Sequence, residues 1–275
     1  WPSGAEKYVD LFIINGKEIK VDKSISSKDE LRLQFNGEQN QPMKLIIEDI
    51  DKVSISNLYC PETISCSIDI EDVDYVELSD LTINDKNNQV SAELITPGEN
   101  FDQSNDVAGS FLFGPIAYFL VKETIDSTED KGSLYAVHIE DADTITIKNS
   151  TLASNLLLDS DEIIVKSSTI GAPYSYVETK VDDGFEISDS KVFGVLTVDE
   201  GFVSSPLLEI NNSEIEYLLS RTKTKLSSTT IEHFMPPQTY AFEILKGSNV
   251  ENLEIYEPWI DQTIEVNNSQ VGHIK

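Results

Sequence analysis

Basic residues are scarce in this sequence. The 20 Lys and Arg, only two of them arginine (Arg32 and Arg221), stand against 49 Asp and Glu, for a formal net charge of −29. A polyanion binder needs clustered Lys and Arg to displace counterions, so nucleic acid is a poor partner. Anionic polysaccharides and acidic membrane surfaces are disfavoured by the same Coulomb argument, which leaves a neutral ligand or a cation as the better match. Long apolar runs are missing too: nothing approaches the ~18 to 20 consecutive apolar residues of a membrane-spanning helix, and no membrane insertion is expected. The hydrophobic fraction of 39% is still enough for a core.

Cysteine and histidine are equally sparse. Cys60 and Cys66 flank Pro61-Glu-Thr-Ile-Ser65, a spacing that could close a small disulfide loop in an oxidising compartment, but two cysteines do not decide the compartment. They match no zinc pattern, and His138, His233 and His273 are scattered, so no metal site and no cofactor are expected. The chain opens at Trp1-Pro-Ser-Gly4 without Met and without a basic-plus-apolar signal sequence, as an excised piece of a longer protein would.

What the sequence does have is an internal repeat. An octet recurs in the order apolar, any, apolar, any, Asn/Asp/Ser, usually Ser/Thr/Leu, any, apolar. Val76-Glu-Leu-Ser-Asp80-Leu-Thr-Ile83, Ile145-Thr-Ile-Lys-Asn149-Ser-Thr-Leu152 and Leu208-Glu-Ile-Asn-Asn212-Ser-Glu-Ile215 are examples. Octets, some of them looser, start at residues 31, 53, 76, 145, 163, 185, 208, 224, 242 and 264. Alternation with a period of two places one face of a short strand inward, and the Asn/Asp/Ser pair bends the chain, because these side chains tolerate turn geometry and bond nearby backbone. One octet makes one corner.

A unit of about 20 residues cannot bury its apolar face alone; stacked copies can, with apolar ladders inside and Asn/Ser ladders at the corner. The expected fold is therefore all-β, a right-handed parallel β-helix. A β-sandwich would also alternate, but has no reason to reuse one octet at near-constant spacing. Residues 1–30 are expected to form an N-terminal cap and 31–275 the β-helix. The 69-residue step from 76 to 145 is read as an excursion over 93–134, with the apolar stretch Phe111 to Val121 lying along an outer apolar wall.

The architecture resembles the pectate-lyase-like β-helix superfamily, whose catalytic members are mostly polysaccharide lyases, hydrolases and esterases. Of their machinery, Asp182-Asp183 is the one Asp-Asp segment, and no Gly-His-Gly accompanies it. Nothing resembles a nucleophile elbow or a phosphate-binding glycine loop. No catalytic residue is assigned, and no enzyme activity is expected.

Aromatic residues between octets are more suggestive: Tyr174, Tyr176, Tyr217, Phe234, Tyr240, Tyr256 and Trp259. Stacked coils would bring several onto one flank, where flat rings offer an apolar face to the C–H face of a sugar. With the repeat, the insertion and the acidic surface, the chain resembles the tāpirins, cell-surface cellulose-binding adhesins. That resemblance implies an extracellular, non-catalytic domain that binds an insoluble neutral polysaccharide such as cellulose. The alternatives are a lyase or hydrolase of the same fold, and a structural segment of a phage tail spike or surface fibre. The oligomeric state is not legible.

Overall fold

In the computed structural model the described residues are 8–13, 18–22, 30–84, 135–173, 175–200, 206–235, 242–253 and 264–274. They form a parallel β-solenoid of 22 strands, and all the pairings between strands are parallel. Among the described residues there is no helix.

The octet sets the register. Its first positions 31, 53, 76, 145, 163, 185, 208, 224, 242 and 264 each pair with the next in that order. Three sheets result, and one coil shows their order. Met43–Glu48 belongs to the return sheet, Lys52–Ser56 to the octet sheet and Tyr59–Cys60 to the short sheet, after which the chain re-enters the return sheet. In the middle coils the first two merge into single bent strands such as Cys66–Ser79 and Val137–Lys148.

Ladders of apolar side chains fill the interior. Leu31, Val53, Val76, Ile145, Ile163, Phe185, Leu208 and Phe242 stack as one column, and Leu33, Ile55, Leu78, Ile147, Val165, Ile187, Ile210, Leu226 and Ile244 as another, all buried. Each such side chain contributes about 1.5–3 kcal/mol by leaving water. Thr224 is the polar exception in the first column, and its hydroxyl is satisfied inside: it donates to Thr222 O at 3.1 Å and meets Ser220 Oγ at 2.9 Å.

The corner after each octet strand behaves as the turn chemistry requires. Its fifth residue takes a left-handed conformation in every coil from Asn57 onward: Asp80, Asn149, Ser167, Asp189, Asn212, Ser228, Lys246 and Asn268 all have positive φ. The sixth residue then builds a buried serine ladder. Ser190 Oγ donates to Ser188 O at 2.7 Å and accepts the Ser168 N–H at 3.1 Å; Ser150, Ser168 and Ser213 repeat the pattern.

Val76 pairs directly with Ile145 and Thr82 with Thr151, so the octets at 76 and 145 stand in adjacent coils. The expected excursion over 93–134, with its placement of Phe111 to Val121, lies outside the described residues. Within the expected cap, Tyr8–Ile13 and Glu18–Val21 pair in register with Glu30–Phe35 and Met43–Glu48, so they continue the stack. Cys60 and Cys66 are joined by a disulfide, both fully buried, which closes the link from the short sheet to the return sheet.

Candidate functional site

The edge between the short sheet and the return sheet gathers the surface chemistry. After the inward residue that ends each octet, the chain turns outward before the return strand begins. The residues at that turn are Phe193 and Gly194, then Glu216, Glu232 and Glu251 in successive coils. The first outward positions of the return strands follow in one row: Val195, Tyr217, His233, Asn252 and His273 pair in register. Neighbouring strands lie ~4.8 Å apart, so like side chains stack. The Tyr217 and His233 rings do so with centroids 4.5 Å apart and an interplanar angle of 2°.

Beside this row lies an open groove of ≈ 500 Å³, whose lining includes Pro173, Lys191, Phe193, Glu214, Glu216, Glu232 and Glu251. Phe193 is 39% exposed, unusual for so large an apolar ring. Lys191 Nζ donates to Glu214 Oε2 at 2.6 Å, and Glu216 Oε2 accepts the Gly194 N–H at 2.8 Å. The turn itself depends on two glycines at positive φ. A Cβ at Gly194 would lie 2.3 Å from Ser175 O, and one at Gly171 would lie 2.1 Å from Phe193 O. The backbones of the two links therefore touch, which projects the Phe193 ring to the outside.

Carboxylates accept hydrogen bonds only and ring faces offer an apolar surface, so the groove presents acceptors beside an exposed ring, and the glutamates repeat once per coil.

Of the aromatic residues singled out in the sequence, the structure brings Tyr217 to this edge. Two others belong to the interior. Phe234 is fully buried and meets Phe242 edge-on at 5.5 Å, because its return strand has its own alternation and position 234 points inward. Tyr176 is 2% exposed, with its hydroxyl 3.3 Å from Thr197 Oγ1 and its N–H donating to Asn155 Oδ1 at 2.9 Å. Neither offers a ring face to solvent as it stands. Tyr174, Tyr240, Tyr256 and Trp259 lie outside the described residues. Phe193, Glu216, Glu232 and Glu251 were missed, and their signal was the residue immediately following each octet.

Asp182 and Asp183 sit on a different edge, where the return sheet bends into the octet sheet. They join a column of acids: Asp49-Ile-Asp51, Asp72-Val-Asp74, Asp141-Ala-Asp143 and Asp159-Ser-Asp161 come from successive coils. Partial burial, then the charges of Asp143, Asp182, Asp183 and Asp159, hold the Asp161 carboxyl above the usual carboxylate range. Arg221 Nε is engaged by Asp199 Oδ1 at 3.3 Å.

Comparison of the chain with protein-family models, with curated proteins and with solved structures finds no match.

Proposed function

We propose that this chain is an extracellular, non-catalytic polysaccharide-binding domain of an adhesin, similar in kind to the tāpirins, and that it takes a neutral polysaccharide such as cellulose along the edge between the short and return sheets. The observation that carries this reading is the groove itself. An exposed Phe193 ring lies with a column of glutamates in one open groove, and the stacked Tyr217–His233 pair belongs to the neighbouring row on the same edge. The buried Cys60–Cys66 disulfide supports an oxidising compartment, since such bonds persist mainly outside the cytosol. The net charge of −29 favours a neutral polymer over an anionic one.

The same glutamates favour one second reading. A glycosidase holds two carboxylates about 5–5.5 Å or about 6.5–9.5 Å apart across the scissile bond, and Glu214, Glu216, Glu232 and Glu251 all line the groove.

One experiment separates the two. The purified chain is pulled down on insoluble cellulose, xylan and chitin, and reducing sugar is measured in the same samples. Binding without sugar release is the expected result. Sugar release would make it an enzyme, and absence of binding to any of the three would overturn the proposal in favour of a structural or protein-binding segment.

A further inference from the structure

The outer side of the return sheet holds a second cluster, assembled by register across the long excursion. Asp69 pairs with His138 and Glu71 with Glu140. Two residues along a strand span roughly 6.7 Å and neighbouring strands lie ~4.8 Å apart, so these four side chains rise from the corners of a small rectangle. One potential ligand atom from each of Asp69, Glu71 and His138 lies within 4.8 Å of the others.

His138 is the unusual member. It occupies an outward position of its strand and yet is only 5% exposed. Its Nδ1 lies 2.7 Å from Asp69 Oδ1. Its Nε2 is buried, with Glu140 Oε1 3.2 Å away. The ring is backed by Tyr135, stacked at 5.8 Å and 14°, whose hydroxyl donates to Glu178 Oε2 at 3.4 Å.

Lysine reaches the cluster from one side only: Lys44 Nζ stands 3.8 Å from Asp69, and Lys20 is bonded to Glu48.

We propose that Asp69, Glu71 and His138 form a binding site for one divalent transition-metal ion. The donor set selects the class of ion. One imidazole nitrogen with carboxylate oxygens suits Zn2+ or Mn2+, whereas Ca2+ takes six to eight oxygens and has little use for imidazole. The ion binds the neutral imidazole, as metal coordination requires. Its place in the fold gives it a structural consequence. The ligands come from Cys66–Ser79 and Val137–Lys148, the two strands on either side of residues 85–134, so the ion would fasten together the two coils between which the excursion leaves. This inference does not rest on the polysaccharide reading.

The test uses the full chain, stripped with a chelator and dialysed. It is titrated with Zn2+ by calorimetry in excess Mg2+ and salt, with thermal unfolding followed in parallel and Co2+ used as a spectroscopic probe. The expected result is one Zn2+ per chain, a raised Tm, weaker binding of Ca2+, and Co2+ ligand-field bands that His138→Gln abolishes. Both His138→Gln and Glu71→Gln should weaken Zn2+ binding by more than about tenfold. Glu71 is an exposed side chain, so its variant keeps the fold even if His138→Gln does not. Absence of saturable one-to-one binding, binding unchanged in Glu71→Gln, or Ca2+ bound as tightly as Zn2+ would each overturn the site and leave only loose association with an acidic surface.

Discussion

The two ends of the short strands are built in opposite ways. At the end shared with the octet sheet, successive coils use one solution: a left-handed residue at the fifth octet position and, through the middle coils, a buried serine hydroxyl at the sixth that bonds backbone in two coils. At the end shared with the return sheet almost every link differs. There is a disulfide-closed loop over 61–65, then the long span of chain between residues 84 and 135, then the Phe193-Gly194 turn, and only later single glutamates. A solenoid needs one corner to hold its register. Once that corner does so, the opposite edge can change from coil to coil, and surface chemistry accumulates there.

This contrast can be broken at several points. Replacing both Cys60 and Cys66 by Ala should cost the most, about 2–3 kcal/mol by urea unfolding, because it releases a variable link that no repeated corner holds. Ser190→Ala should cost about 2 kcal/mol in the same assay, since the Ser168 N–H and the Ser188 carbonyl lose a buried partner. Glu251→Ala, an exposed side chain on the variable edge, should change stability by less than about 0.5 kcal/mol. Similar costs for Ser190 and Glu251 would erase the distinction between the corners.

Asn149→Val should cost about 1–2 kcal/mol, because a β-branched side chain resists the φ of 50° at that position, whereas Asn149→Gly should be nearly neutral. The smallest effect belongs to the acidic edge. The folded-state pKa of Asp161 is raised, so its protonated form favours the fold: that stability is present below the unfolded pKa and lost as pH rises through the folded one. Asp161→Asn should therefore stabilise by a few tenths of a kcal/mol at neutral pH and low salt. The gain should fade in acid and in high salt, as followed by Tm.

The fold was legible because the octet carries all its information locally: the alternation gives the strand, the fifth residue gives the corner, and the first positions pair in the order of their spacing. The site was only partly legible. The return strands vary in length and share no octet, so nothing marked Phe234 as an inward position or Tyr176 as a covered one. The Glu-Asp-apolar-Asp segments at 48–51, 71–74 and 140–143 could have been read as a second repeat, and they locate the acidic corner. His138 could not have been paired with Asp69 and Glu71, because the excursion separates them in the chain and only the register of the coils on either side brings them together.

The most direct test of the account is whether cellulose binding belongs to the variable edge. The chain carrying Phe193→Ala and Tyr217→Ala is compared, in the insoluble-cellulose pull-down, with one carrying Lys52→Ala and Tyr75→Ala on the outer octet sheet, where Lys52 lies over the Tyr75 ring at 5.0 Å. The account predicts that the first variant loses binding while the second keeps it. Equal loss in both, or full binding by the first, would contradict it.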